Sequence, residues 1–206
     1  MRTRVKICGI TRVEDAQLVI DAGVDAIGLV FYEKSPRFVT TEQADEISRI
    51  SPAFVSRVAL FKDAEKQMIL SVLQRVEIDL IQFHGSESVE FCEQFERPYI
   101  KALGMKSAES DADYLVSSAE KYHSAKALLL DGHAPGEAGG TGETFDWSSI
   151  ATVKKPVVLA GGLSAENVKQ AINTVHPYAV DVSSGVESSP GIKDKAKVTA
   201  FMRQLV

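Results

Sequence analysis

Two side chains in this sequence have types and settings suited to moving protons. Cys8 closes the run Val5-Lys6-Ile7-Cys8 and is followed by Gly9. A thiol has a reference pKa near ~8.5, within tuning range of neutrality, so a cysteine at such a position can serve as a base. Lys6, two residues earlier, shares its face on a strand and would lower that pKa if it points inward. The alternative is a free cysteine acting as a small buried hydrophobe, which is also how Cys92 reads. Asp131 follows Leu128-Leu129-Leu130. An unpaired carboxylate in an apolar wall is costly, and such a wall raises a carboxyl pKa, which suits a proton donor; the alternative is an aspartate accepting loop amide bonds. One acid and one base on opposite sides of a ligand are what a proton-shuffling isomerisation requires.

A second set of residues is suited to an anion. Gly161-Gly162-Leu163-Ser164 lets backbone approach closely, and Ser183-Ser184-Gly185-Val186-Glu187 adds hydroxyls and another glycine. Gly139-Gly140-Thr141-Gly142 is a third glycine loop. No GxxxxGK[ST] sequence is present, so a bound phosphate would be the substrate's own. Arg37, in Glu33-Lys34-Ser35-Pro36-Arg37, could clamp a carboxylate with two nitrogens or be a solvated loop charge. Gln82 and His84 are candidate substrate contacts, with a structural histidine as the alternative for His84. The four histidines are scattered, so no metal site is expected, and no cofactor motif is found.

The elements that must position these residues alternate regularly. Apolar runs at 5–10, 26–31, 55–61, 80–83, 99–103, 127–130, 157–160 and 179–182 predict strands, most of them apolar on both faces as in a covered parallel sheet. Between them, helical spacing predicts helices at 12–22, 41–50, 64–76, 86–95, 110–121, 145–153, 164–173 and 193–206, with Thr40, Ser86 and Ser164 as caps. Eight β-then-α units in 206 residues, about 26 residues each, predict one α/β domain over 1–206, a (β/α)8 TIM barrel. An open doubly wound sheet would carry GxGxxG after its first strand, where this chain has Cys8-Gly9-Ile10-Thr11. In a barrel the active site lies at the C-terminal strand ends, and strands 1 and 6 are three steps apart, so Cys8 and Asp131 would face each other across the mouth.

Composition narrows the function class. A formal charge of −5 with 25% charged residues disfavours a general nucleic-acid binder. No apolar run approaches the ~20 residues of a membrane span, and the N-terminal residues show no signal-peptide core. Two cysteines without a CxxC disfavour a disulfide scaffold and secretion, and the expected location is cytoplasmic.

Taken in order, Val5-Lys6-Ile7-Cys8-Gly9-Ile10-Thr11, Phe31-Tyr32-Glu33-Lys34-Ser35-Pro36-Arg37, Gln82-Phe83-His84-Gly85, Leu129-Leu130-Asp131, Gly139-Gly140-Thr141-Gly142 through Phe145-Asp146-Trp147, Ala160-Gly161-Gly162-Leu163 and Val180 to Glu187 resemble the phosphoribosylanthranilate isomerases. The resemblance implies a cofactor- and metal-free Amadori rearrangement of a small phosphoribosyl substrate in tryptophan biosynthesis, by a monomer or weak homodimer. It matches the family's general base to Cys8, its general acid to Asp131 and its anthranilate-binding arginine to Arg37. Asp181 takes a supporting polar role, and Gly161, Gly162, Ser183, Ser184 and Gly185 take the phosphate. Another phosphosugar aldose–ketose isomerase would use two aspartates, against which Cys8 speaks. A non-catalytic phosphosugar-binding barrel is the remaining alternative.

Overall fold

The computed structural model describes residues 2–105, 112–132 and 145–205. Eight parallel strands close into a barrel in chain order. They are β1 (Arg4–Cys8), β2 (Ala26–Val30), β3 (Ser56–Phe61), β4 (Leu80–Phe83), β5 (Tyr99–Gly104), β6 (Ala127–Asp131), β7 (Val157–Leu159) and β8 (Ala179–Val182). Closure comes from β1 lying against β8, with Lys6 opposite Asp181. The helices α1 (Val13–Asp21), α2 (Thr41–Arg49), α3 (Lys66–Arg75), α4 (Val89–Glu93), α5 (Ala112–Lys121), α6 (Val168–Val175) and α7 (Lys195–Arg203) follow their strands as the alternation predicts.

The strands are apolar on both faces because each face is buried differently. Outward residues such as Ile7, Ile27, Leu29, Phe61, Ile81, Leu128, Leu130 and Val180 pack beneath the helices in one continuous core. Inward residues fill the narrow lumen and are often small: Ile100, Ala102, Ala127, Leu129, Val158, Ala160 and Ala179 form a separate cluster. Pleating then puts Lys6 with Cys8, Gln82 with Leu80, and Asp131 with Leu129 on the lumen side. Lys101, which interrupts the fifth apolar run, is buried against Glu87 with Nζ–Oε2 of 3.2 Å.

Three predicted elements are corrected. Segment 145–153 contains only a 3-10 turn at Trp147–Ser149. There Asp146 Oδ1 accepts from both the backbone and the hydroxyl of Ser148, and these local bonds compete with a helix. The helix predicted from Ser164 begins at Val168, because Ser164 Oγ accepts from the Glu166 N–H and Asn167 Oδ1 from the Ser164 N–H, holding 164–167 as a turn. The cap of α4 is Ser88, accepting from the Phe91 N–H, while Ser86 donates its N–H to Asp63. One element was not predicted: an antiparallel hairpin of β9 (Glu187–Ser189) and β10 (Ile192–Lys193) between β8 and α7. The Gly139–Gly142 loop and the start of the helix predicted at 110 lie outside the described residues.

Candidate active site

β1 ends at Cys8, short of the predicted residue 10. Gly9 leaves the strand at φ 74°, and the Gly9 and Ile10 N–H groups both donate to the Gly28 carbonyl. The Cys8 carbonyl accepts from Lys193 Nζ at 2.7 Å and from Ser183 Oγ at 3.0 Å. The thiol is thereby set on the lumen side at the C-terminal mouth, in a cavity of about 160 Å³. Asp131, Arg37, Gln82, His84, Asp181, Gly161, Gly162, Ser183 and Ser184 line the same cavity. Residues read from six separate stretches of sequence thus meet in one place. Gly185 is the exception among the candidates and stands behind the wall.

The glycine loops adopt conformations that need glycine. Gly161 and Gly162 have φ of 81° and 62°, in the left-handed region. A Cβ on Gly185 would lie 1.9 Å from the Leu163 carbonyl oxygen, so the loops after β7 and β8 touch through bare backbone. The 3-10 turn Ser184–Val186 starts beside this contact. Arrangements of this kind can cradle a phosphate with N–H groups and hydroxyls.

The electrostatics are built from buried pairs. Lys6 Nζ donates to both oxygens of Asp181 at 2.9 Å. Burial works against the Lys6 ammonium, but Asp181 and Cys8 outweigh it and hold it above its ordinary range. Burial pushes the Cys8 thiol up, Lys6 pulls it down and Asp181 adds to the rise. Lys6 thus acts in the direction the sequence suggests, but burial outweighs it and the net direction is upward. His84 Nε2 lies 3.5 Å from Asp131 Oδ2, and its Nδ1 pairs with Gln82 Nε2 at 2.9 Å. The other amide atom, Gln82 Oε1, is buried with no hydrogen-bond partner among the described residues.

Arg37 is held from behind. Its Nε and Nη2 donate to Glu187 at 2.9 and 2.8 Å, and the side chain lines the cavity. Glu187 also accepts from Lys193 Nζ at 2.8 Å. Burial disfavours the Glu187 carboxylate, but Arg37 and Lys193 outweigh this and hold its pKa below the usual range. Glu187 and Lys193 both come from the unpredicted hairpin. The only sequence signal for it was Pro190-Gly191, a turn pair following two serines. Val30, Leu60 and Tyr32 cluster with Cys8 as an apolar wall of the mouth. Among the described residues no group of three His, Cys, Asp or Glu side chains gathers as metal ligands, and no helix is long and apolar enough to cross a membrane.

Comparison with known proteins adds a separate line. The sequence model of one family, described as N-(5'phosphoribosyl)anthranilate (PRA) isomerase, matches residues 5–204. A Pseudomonas putida protein named N-(5'-phosphoribosyl)anthranilate isomerase is 53% identical over 201 residues, covering 97% of this chain and 96% of that protein. The crystal structure of phosphoribosyl anthranilate isomerase from Thermotoga maritima superposes with a TM-score of 0.86 at 40% identity, covering 98% of both chains. A structure of such an isomerase in complex with reduced 1-(o-carboxyphenylamino)-1-deoxyribulose 5-phosphate gives a TM-score of 0.82 at 39% identity, again over 98% of both chains.

Proposed function

The chain belongs to the N-(5'-phosphoribosyl)anthranilate isomerase family, and from that membership we propose a mechanism in which Asp131 is the general acid and Cys8 the general base. The isomerisation is a step of tryptophan biosynthesis. The substrate is N-(5'-phosphoribosyl)anthranilate and the product its 1-deoxyribulose 5-phosphate isomer. What supports the assignment of roles is that Cys8 and Asp131, on strands three steps apart, line one cavity together with Arg37 and the two phosphate-type loops.

The proton transfers balance within the substrate. Asp131, protonated, gives its proton to the ribose ring oxygen as the C1–O bond breaks, and the anilino nitrogen lone pair forms the Schiff base. The Cys8 thiolate then takes the proton from C2. The electrons of that bond form the C1–C2 double bond of an enolamine, which becomes the ketone by losing the C2 hydroxyl proton and gaining one at C1. Each assisted transfer is worth ~10²–10⁴-fold. The phosphate in the cradle of Gly161, Gly162, Ser183 and Ser184, with Gly185 behind it, does no chemistry; its binding energy holds C2 near the sulfur. Arg37 takes the anthranilate carboxylate. The wall of Val30, Leu60 and Tyr32 takes the ring, and Gln82, His84 and Asp181 face the sugar.

Steady-state turnover followed by loss of anthranilate fluorescence tests this. Cys8→Ser and Asp131→Asn are each expected to lose at least ~10²-fold in kcat. Because burial holds the Cys8 thiol up, kcat/KM of the wild type is expected to rise as pH climbs above neutrality. Near wild-type turnover in either variant ends the assignment.

A further inference from the structure

Lys6 and Asp181 occupy lumen positions on adjacent, directly paired strands. Below the polar mouth the lumen is packed with alanine, leucine, isoleucine and valine. A buried ion pair is a poor way to stabilise a barrel, since desolvation of both charges consumes most of their attraction. Its placement is specific. A Cβ built on Gly28, which pairs with Cys8, would meet Cys8 Sγ at 2.6 Å and Lys6 Cε at 3.0 Å. The thiol and the lysine stem therefore lie side by side in space that Gly28 vacates. At the other end, Leu130 pairs with Leu159 and Leu159 with Val180, so Asp131 and Asp181 are the next inward residues, with the methyl of Ala160 between them. The cation thus neighbours the thiol, and the carboxylate faces Asp131 across one strand.

We propose that the Lys6–Asp181 pair is a positioning element for proton transfer, its cationic end favouring negative charge on Cys8 and its anionic end favouring a proton on Asp131. The catalytic meaning of the pair rests on the roles given to Cys8 and Asp131 above. It lets a single buried dipole bias base and acid in the opposite senses that the reaction needs. Lys6 lowers and Asp181 raises the thiol's affinity for its proton, consistent with the geometry. The other charges that act on the thiol are Lys193 from β10 and Arg37 from the loop after β2, which both favour thiolate. Gly28 is implicated as well, because any side chain there would separate Lys6 from Cys8.

The test titrates the thiol without substrate, by the rate of iodoacetamide alkylation at Cys8 against pH, with the modified peptide quantified by mass spectrometry. K6M is expected to slow alkylation near neutrality about tenfold, one pKa unit upward, and D181N to accelerate it. A role in packing alone would move both variants the same way. Their moving together, or K6M matching the wild type, overturns the proposal. If K6M fails to fold, the neutral pair K6M/D181N decides, because it leaves no unpaired charge. It is expected to alkylate more slowly than wild type, and a rate equal to or above wild type overturns the proposal. The anionic end is read from kcat/KM against pH. D181N is expected to move the limb that reports loss of the Asp131 proton to lower pH, and an unmoved limb removes that end. Turnover of Cys8→Ser, measured alongside, separates the two layers. Its survival removes the base assignment and the catalytic meaning of the pair, whatever the thiol titration gives.

Discussion

Replacing Glu187 by alanine removes one carboxylate that three side chains share. It accepts from Arg37 at 2.9 and 2.8 Å, from Lys193 at 2.8 Å and from Ser183 Oγ at 3.4 Å. The cost is set by which partner cannot escape to water. Arg37 is 11% exposed in its side chain and can turn outward, whereas the Lys193 side chain is 0% exposed. E187A therefore strands a buried ammonium, which is worth about 3–5 kcal/mol. For a chain of this size that is a fall in Tm of roughly 6–20 °C. E187Q keeps the shape but makes the bonds neutral, for a smaller loss of about 1.5–3 kcal/mol. E187A/K193M removes the stranded charge and is expected to be more stable than E187A alone. Thermal and urea melts followed by circular dichroism measure all three. The pH dependence has a definite sign. Arg37 and Lys193 hold the folded pKa of Glu187 below its unfolded value despite burial. Its contribution is then complete above the unfolded pKa, about ~4.3, and lost as pH falls through the folded one. The gap between wild type and E187Q is expected to narrow under acid. An E187A protein within about 1 kcal/mol of wild type, or a double variant no better than the single, refutes the reasoning.

Gly185→Ala would place a methyl 1.9 Å from the Leu163 carbonyl oxygen, so the two loops must part. Inhibition by inorganic phosphate is expected to weaken by about tenfold or more, a loss near ~1.4 kcal/mol, and unchanged inhibition would place the phosphate elsewhere. Lys101→Met should destabilise by about 3–5 kcal/mol, because Glu87, 3.2 Å from Lys101 Nζ, is left charged and buried. A paired K101M/E87L variant is expected to recover much of that loss in the same melts, and an additive penalty would mean the two are not coupled.

The architecture was legible because strand and helix periods alternate without interruption, and closure follows from their number. Cys8, Asp131, Gln82 and Asp181 were legible as polar residues at positions where apolar ones would pack. What was not legible is instructive. Glu187 and Lys193 sit on strands of three and two residues, too short for any period to register. Nothing in the type or spacing of these two charges marks them as buried, and only mutual pairing offsets the cost of burying them. The predicted helix at 145–153 failed for the opposite reason: its apolar spacing is helical, but Asp146 and Ser148 satisfy each other locally first. The upward displacement of the Cys8 pKa was also out of reach, since it comes first from the depth of burial, which outweighs the pull of a Lys6 paired with Asp181 at 2.9 Å.

The buried charges explain one another once the Cys8 backbone is considered. Lys193 reaches the Cys8 carbonyl because Glu187 neutralises it, and Ser183 reaches the same carbonyl from the loop after β8. Glu187 in turn fixes Arg37, whose stem lies against Gly9 beside the Cys8 carbonyl. The proposed base, the candidate carboxylate clamp and the edge of the proposed phosphate cradle are therefore locked to one another through a single carboxylate. None of the groups so fixed is supplied by the helices. A proton abstraction from carbon is sensitive to displacements of an ångström, and a thiol at a strand terminus beside a left-handed glycine would otherwise be free to shift by that much. Desolvating Lys193 and Glu187 is unfavourable in itself, and their attraction does little better than offset it. Under the proposed mechanism the return is rigidity at the residue whose sulfur would meet C2, with the charges gathered under the mouth of the barrel.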